Sequence, residues 1–239
     1  MGAALFWGLF SSASLYLGQL LARPLGRSER AIGLMMGFGG GTLISAVAYE
    51  LVPEASFHHG WEIGLSFIAG AVVYYVCDRW VDSRGGKQRS AIRSESEGSG
   101  AAMFLGALLD GIPEAFILGL GLALGGSISV AFVAAVFISN IPQGLAGTTS
   151  LQEVGTRDRR IALMWGLLTV ACGLASLLGY GMADHIHDAG VNAGAFAGGA
   201  VLMMLTDSMV PESYRHGGRL TGLLTVLGYM LAAVLTVMQ

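Results

Sequence analysis

Charge is what this chain has least of. Asp, Glu, Lys and Arg together make up 12% of its 239 residues, about half the proportion of a soluble domain. So small a polar share cannot clothe a water-facing exterior and points to a chain held in lipid. Cysteine is equally scarce. Cys77 and Cys172 both fall in apolar runs, say nothing about a disulfide, and form no CxxC metal knuckle. There is no HExxH word, so metalloprotease chemistry on a helix is excluded and no enzymatic activity is expected. No basic stretch precedes the first apolar run near Gly2, so no cleavable signal peptide is expected.

Glycine, by contrast, is abundant at 37 residues. The runs Gly37-Phe38-Gly39-Gly40-Gly41 and Gly194 to Gly199 suit close helix contact in lipid. Neither has the strand–turn–helix setting of a phosphate loop, and no organic cofactor or nucleic-acid partner is expected.

A membrane-crossing helix needs roughly 20 mostly apolar residues. On that measure the sequence predicts an all-α, polytopic membrane protein with eight spans: Ala3–Leu21, Ala31–Val52, Trp61–Trp80, Ala101–Leu124, Ser127–Leu151, Ile161–Met182, Val191–Val210 and Leu220–Met238. All 13 basic residues lie at or in the odd connections: Arg23, Arg27 and Arg30; Arg79, Arg84, Lys87, Arg89 and Arg93; Arg157, Arg159 and Arg160; Arg215 and Arg219. The positive-inside rule makes those connections cytoplasmic and both termini external. Residues 1–239 form one transporter domain in this reading. The Gly/Ser-rich segment at about 82–100 is expected to be a flexible cytoplasmic linker.

Four of the five prolines sit in one local word: VPEA at 52–55, IPEA at 112–115, IPQG at 141–144 and VPES at 210–213. The outer two lie at opposite ends of oppositely running spans, and the inner two lie within spans four and five. This predicts an inverted repeat, spans 1–3 against 6–8 about a central pair 4–5, an architecture that puts a substrate at the repeat interface.

The chemistry concentrates in that pair. Asp110 and Glu114 are four residues apart, so they share one helix face. Ser139 and Gln143 repeat the spacing, with Asn140 alongside. Pro113 and Pro142 each push away the carbonyl four residues back, adding the oxygens of Leu109 and Ile138. An intramembrane carboxylate costs roughly 2.5–3.5 kcal/mol on insertion scales, and no Lys or Arg stands in the interior of a span to offset it. Hard oxygen ligands at membrane depth read as a cation site built from Asp110, Glu114, Ser139, Asn140 and Gln143. Glu50, Glu54, Asp207 and Glu212 flank the path, with Glu54 at the entrance and Asp207 or Glu212 at the exit. His58, His59, His185 and His187, in outer loops, would gather metal before it enters.

Eight spans with external termini, and HNxPEG-like words in spans four and five, resemble the ZIP (zinc–iron permease) family of divalent-metal transporters. The resemblance rests on Asp110–Ala115, Asn140–Gly144 and the Val-Pro-Glu ends of spans two and seven. It implies movement of Zn²⁺, Fe²⁺ or Mn²⁺ into the cytoplasm, with an elevator-like motion of a central bundle. The sequence departs from the family's pattern. Asp110 and Gly111 stand where His-Asn is usual, Gln143 stands for a second Glu, and Ile161–Met182 holds no carboxylate. A single oxygen-dominated site follows, whose donors suit Mn²⁺, Fe²⁺ or Mg²⁺ and whose zinc selectivity is expected to be weaker than in a His-containing relative. The expected partners are an inner, plasma-membrane bilayer and metal ions, with homodimerisation left open. A proton-linked carrier of an organic solute and a non-transporting metal sensor remain as alternatives.

Overall fold

A computed structural model describes residues 1–26, 28–52, 60–83, 99–125, 129–183 and 190–238. Among these there is no β-strand. The helices are α1 (Gly2–Leu25), α2 (Glu29–Ala46), α3 (Trp61–Ser83), α4 (Ser99–Gly125), α5 (Val130–Glu153), α6 (Asp158–Met182), α7 (Gly190–Met204), α8 (Val210–Gly217) and α9 (Leu220–Val237). They make eight segments long and apolar enough to cross a membrane, α7 and α8 being joined into one. The protein is an integral membrane protein by that criterion.

Segment ends follow local chemistry. The Ser28 hydroxyl accepts from the Ala31 N–H at 3.2 Å and opens α2. Ser129 accepts from Phe132 N–H at 3.0 Å, so α5 begins at Val130 rather than at Ser127; a hydroxyl acceptor at this position satisfies one of the helix's free N–H groups. The seventh segment runs past the expected Val210 to Gly217, because Pro211 stands in the first turn of α8, where no N–H is required. It ends at Gly218, whose φ of +65° is readily adopted only without a Cβ. The expected linker shrinks, since α3 continues to Ser83 and α4 starts at Ser99. Its residues 84–98 lie outside those described.

The proline words take two forms. Before Val52 and before Val210 the chain makes a single π-turn, Val47–Leu51 and Leu205–Met209. The N–H of Val52 reaches the carbonyl of Val47 at 3.0 Å, and that of Val210 reaches Leu205. In α4 and α5, Pro113 and Pro142 are carried inside continuous helix.

Packing is by glycine against backbone. The α1–α5 contact is made by Gly18 and Gly144, α4–α6 by Gly119 and Gly179, α2–α9 by Gly41 and Gly228, and α3–α7 by Gly70 and Gly199. A Cβ on any of these would strike a main-chain carbonyl of the facing helix. In lipid there is no hydrophobic drive between helices, so such close approach is the principal source of association. Helices α1, α4, α5 and α6 pack among themselves, as do α2, α3, α7, α8 and α9; the groups meet chiefly where α2 lies on α5 and α4 on α7. Outward, α6 shows Leu163, Leu167, Val170, Leu174 and Leu178, an apolar stripe suited to lipid.

Two glycines two residues apart, on opposite faces of α4, test this packing. Gly119→Ala meets the Ser176 carbonyl, whereas Gly121→Ala meets nothing within 4 Å. The first should lower stability by about 1–3 kcal/mol. The second should raise it by about 0.5–1 kcal/mol through lost glycine entropy. Melting of the detergent-solubilised variants measures both.

Candidate cation site

Helix α4 brings Asp110 and Glu114 to the middle of the fold. Glu114 is 1% exposed, and neither of its carboxylate oxygens has a hydrogen-bond partner. Asp110 is near enough to act on it through its charge. Asp110 itself is half-buried, and its Oδ1 accepts a hydrogen bond from the Tyr74 hydroxyl of α3 at 2.8 Å. The two acids lie within electrostatic reach of each other while touching different neighbours. Asp110 meets α3, while Glu114 lies within electrostatic reach of the Cys172 thiol on α6. A Cβ built on Gly111 would come 3.0 Å from that same sulfur. The position is therefore closed to a longer side chain unless α6 gives way.

The buried hydroxyls and amide of α1 and α5 are met by main-chain carbonyls. Ser11 and Ser12 of α1 are fully buried and donate to the Gly8 carbonyl at 3.3 and 3.0 Å. Asn140 of α5 is 3% exposed and donates to the Ser11 carbonyl at 3.4 Å. Ser139, one step round α5, donates to Val136 at 3.0 Å, and its backbone lies against Gly39 of α2. So Asn140 faces α1 while Ser139 faces α2. Gln143 is half-buried.

The flanking acids are placed variously. Glu50 is half-buried and accepts from Thr236 of α9 at 2.8 Å. Asp207 is exposed within its π-turn. Glu212 is 4% exposed and belongs to a cluster: His216 Nε2 lies 3.0 Å from one oxygen and Arg215 3.5 Å from the other, while His216 Nδ1 lies 3.1 Å from Glu29. This cluster ties α8 to the first turn of α2. Glu54, His58, His59, His185 and His187 lie outside the described residues.

Among the described residues, no three His, Cys, Asp or Glu side chains gather as a ligand set. A divalent ion at Asp110 and Glu114 would complete its shell from amides, hydroxyls, carbonyls and water, a donor set that suits hard cations. Sequence reasoning passed over Tyr74 and Asp78, both buried on α3. Their spacing of four was the available sign, since it puts a phenol and a carboxylate on one face of a span. No protein-family model matches the chain, and no curated protein matches it.

An acid buried without a donor is destabilising while nothing occupies its seam. Glu114→Met, of similar volume, should therefore stabilise the metal-free protein by about 1–4 kcal/mol. It should also abolish any rise in melting temperature on adding Mn²⁺. Scanning calorimetry in detergent with and without the ion reads both.

Proposed function

We propose that this protein is a carrier of divalent transition-metal cations, a divergent relative of the ZIP transporters. It would work in the inner, plasma membrane with both termini outside. One observation carries the reading: Glu114 is fully buried at mid-helix with no hydrogen-bond donor, beside a second acid of the same helix. A doubly positive guest offsets both charges at once. The loaded pair is then cheaper to hold in lipid than the empty, ionised one.

Two features support an inverted repeat of spans 1–3 and 6–8. The Val-Pro words of spans two and seven are both preceded by the same i→i−5 bond. The glycine pairings also exchange under the repeat, α1–α5 with α6–α4 and α2–α9 with α7–α3. The segregation of basic residues supports inward transport from an external mouth. The split of the packing into two groups supports movement of α1, α4, α5 and α6 as one body against the rest. A proton competes with the metal for the same carboxylates, so release to the cytoplasm and protonation are coupled in this scheme.

Uptake of radioactive Mn²⁺ into proteoliposomes is the test. Asp110→Ala and Glu114→Ala should each reduce it about tenfold or more, the effect of losing roughly 1.4 kcal/mol of ligation. Glu50→Ala should leave it nearly unchanged. Zn²⁺ should compete no better than Mn²⁺, and equal mild effects at all three acids would overturn the assignment. Uptake of an organic solute with no stabilisation by metal would favour the proton-linked alternative.

A further inference from the structure

Helices α1, α4, α5 and α6 pack together and enclose a sulfur that an oxygen-only ligand set leaves unused. Cys172 of α6 is 1% exposed. Its thiol is in hydrogen-bonding contact with Ser12 of α1 and within electrostatic reach of Glu114 of α4. Three helices therefore meet at this sulfur. Packing holds it against α4: a Cβ on Gly111 would come 3.0 Å from Sγ, and Ala115, Leu168 and Ala175 share one apolar cluster with Cys172.

A buried cysteine is ordinarily a small apolar filler. Glu114 makes this one different. A helical side chain leans toward the start of its helix and covers the preceding turn, which for Glu114 is the turn of Gly111. Gly111 has no side chain, so the thiol of α6 reaches that same turn. Carboxylate and thiol are thus directed at one spot. Glu114 is 1% exposed, and neither of its oxygens meets a hydrogen-bond donor, the thiol included. An unmet carboxylate beside a thiol offers one oxygen and one sulfur ligand. Thiolate selects softer ions than carboxylate, amide and carbonyl oxygens do. A single sulfur serves a soft ion such as Cd²⁺ more than it serves Zn²⁺, which is borderline.

We propose that Cys172 and Glu114 form a second site in this bundle, one that takes a thiophilic divalent cation, with the Ser12 hydroxyl and water completing its shell. On binding, the S–H bond gives way to a metal–sulfur bond, and the proton leaves with water shed by the ion. Glu114 belongs to both sites, so a soft ion at Cys172 and a hard ion at Asp110 exclude each other. A soft ion is then a competitive inhibitor of transport. This inference rests on Glu114 being a cation ligand of the carrier, and it goes beyond that reading by adding α6 and a second class of ion.

The probe is Cd²⁺, added to the detergent-solubilised Cys77→Ala protein, in which Cys172 is the only thiol. A saturable ultraviolet charge-transfer band of cadmium–thiolate bonding should appear. It should vanish in Cys77→Ala/Cys172→Ser. In Cys77→Ala/Glu114→Gln it should need about tenfold more Cd²⁺ or above, at least the loss that follows removal of an outer partner of a metal ligand. In proteoliposomes Cd²⁺ should block Mn²⁺ uptake by Cys77→Ala, and Cys77→Ala/Cys172→Ser should need about tenfold more of it. No band in Cys77→Ala, or a band of unchanged affinity with Glu114→Gln, would overturn the soft-ion site. Mn²⁺ uptake that Glu114→Ala still abolishes would then leave the carrier reading standing. A band without any Mn²⁺ uptake or stabilisation in the unaltered protein would overturn the carrier reading and keep the soft-ion site. If Cys172→Ser does not fold, cadmium magnetic resonance of Cys77→Ala decides. A signal in the range of sulfur-ligated cadmium supports the site, and one in the all-oxygen range overturns it.

Discussion

Lipid supplies no hydrogen bonds, and this protein is organised around that fact. Every polar group between the membrane faces has to be met by another part of the chain. Most of them are. Ser11, Ser12, Ser14, Thr42, Ser139 and Ser176 are buried, and all donate to main-chain carbonyls. The Trp165 indole donates to Thr148 at 3.0 Å. Set among these satisfied groups, the carboxylate of Glu114 has neither oxygen met by a donor, and the functional reading begins from it.

The same constraint explains the glycines. Helices that bury only small polar groups and backbone must approach closely, and they do so where Cβ is missing on both sides of a contact. Four helix pairs use one glycine from each partner. Large apolar side chains such as Trp165, Leu43 and Met204 fill the interior, and others cover the outer faces of α3, α6 and α9. One apolar core, with Leu43 of α2, Leu118 of α4, Val136 of α5 and Met204 of α7, joins the two packing groups.

The spans were readable from residue order because each carries its own apolar length, and the proline words could be read because their spacing is local. Asp110 and Glu114 stood out as acids within one span. What could not be read was which seam each side chain would meet. Asp110 and Glu114 share a face on paper, yet one meets Tyr74 and the other lies toward Cys172. Ser139 and Asn140 are adjacent, yet they face different helices. Glu212 is ion-paired with His216 and Arg215. The placing of Asp110, Ser139 and Asn140 depends on neighbours distant in sequence, which no local pattern encodes, whereas the Glu212 pairs stand three and four residues apart on one helix face. Span ends slipped for a simpler reason: a capping serine or a first-turn proline shifts a boundary without altering the apolar run.

The paired π-turns also bear on history. Each holds one more residue than the α-helical period accommodates, and after the second the side chains of α8 are rotated by about 100° relative to an uninterrupted helix. A duplication of a three-helix ancestor would copy such an insertion, whereas two later insertions at matching points would require coincidence. If the halves descend from one segment, the extra residue is older than the gene fusion that joined them, and single-chain ancestors assembling as antiparallel pairs would already have carried it.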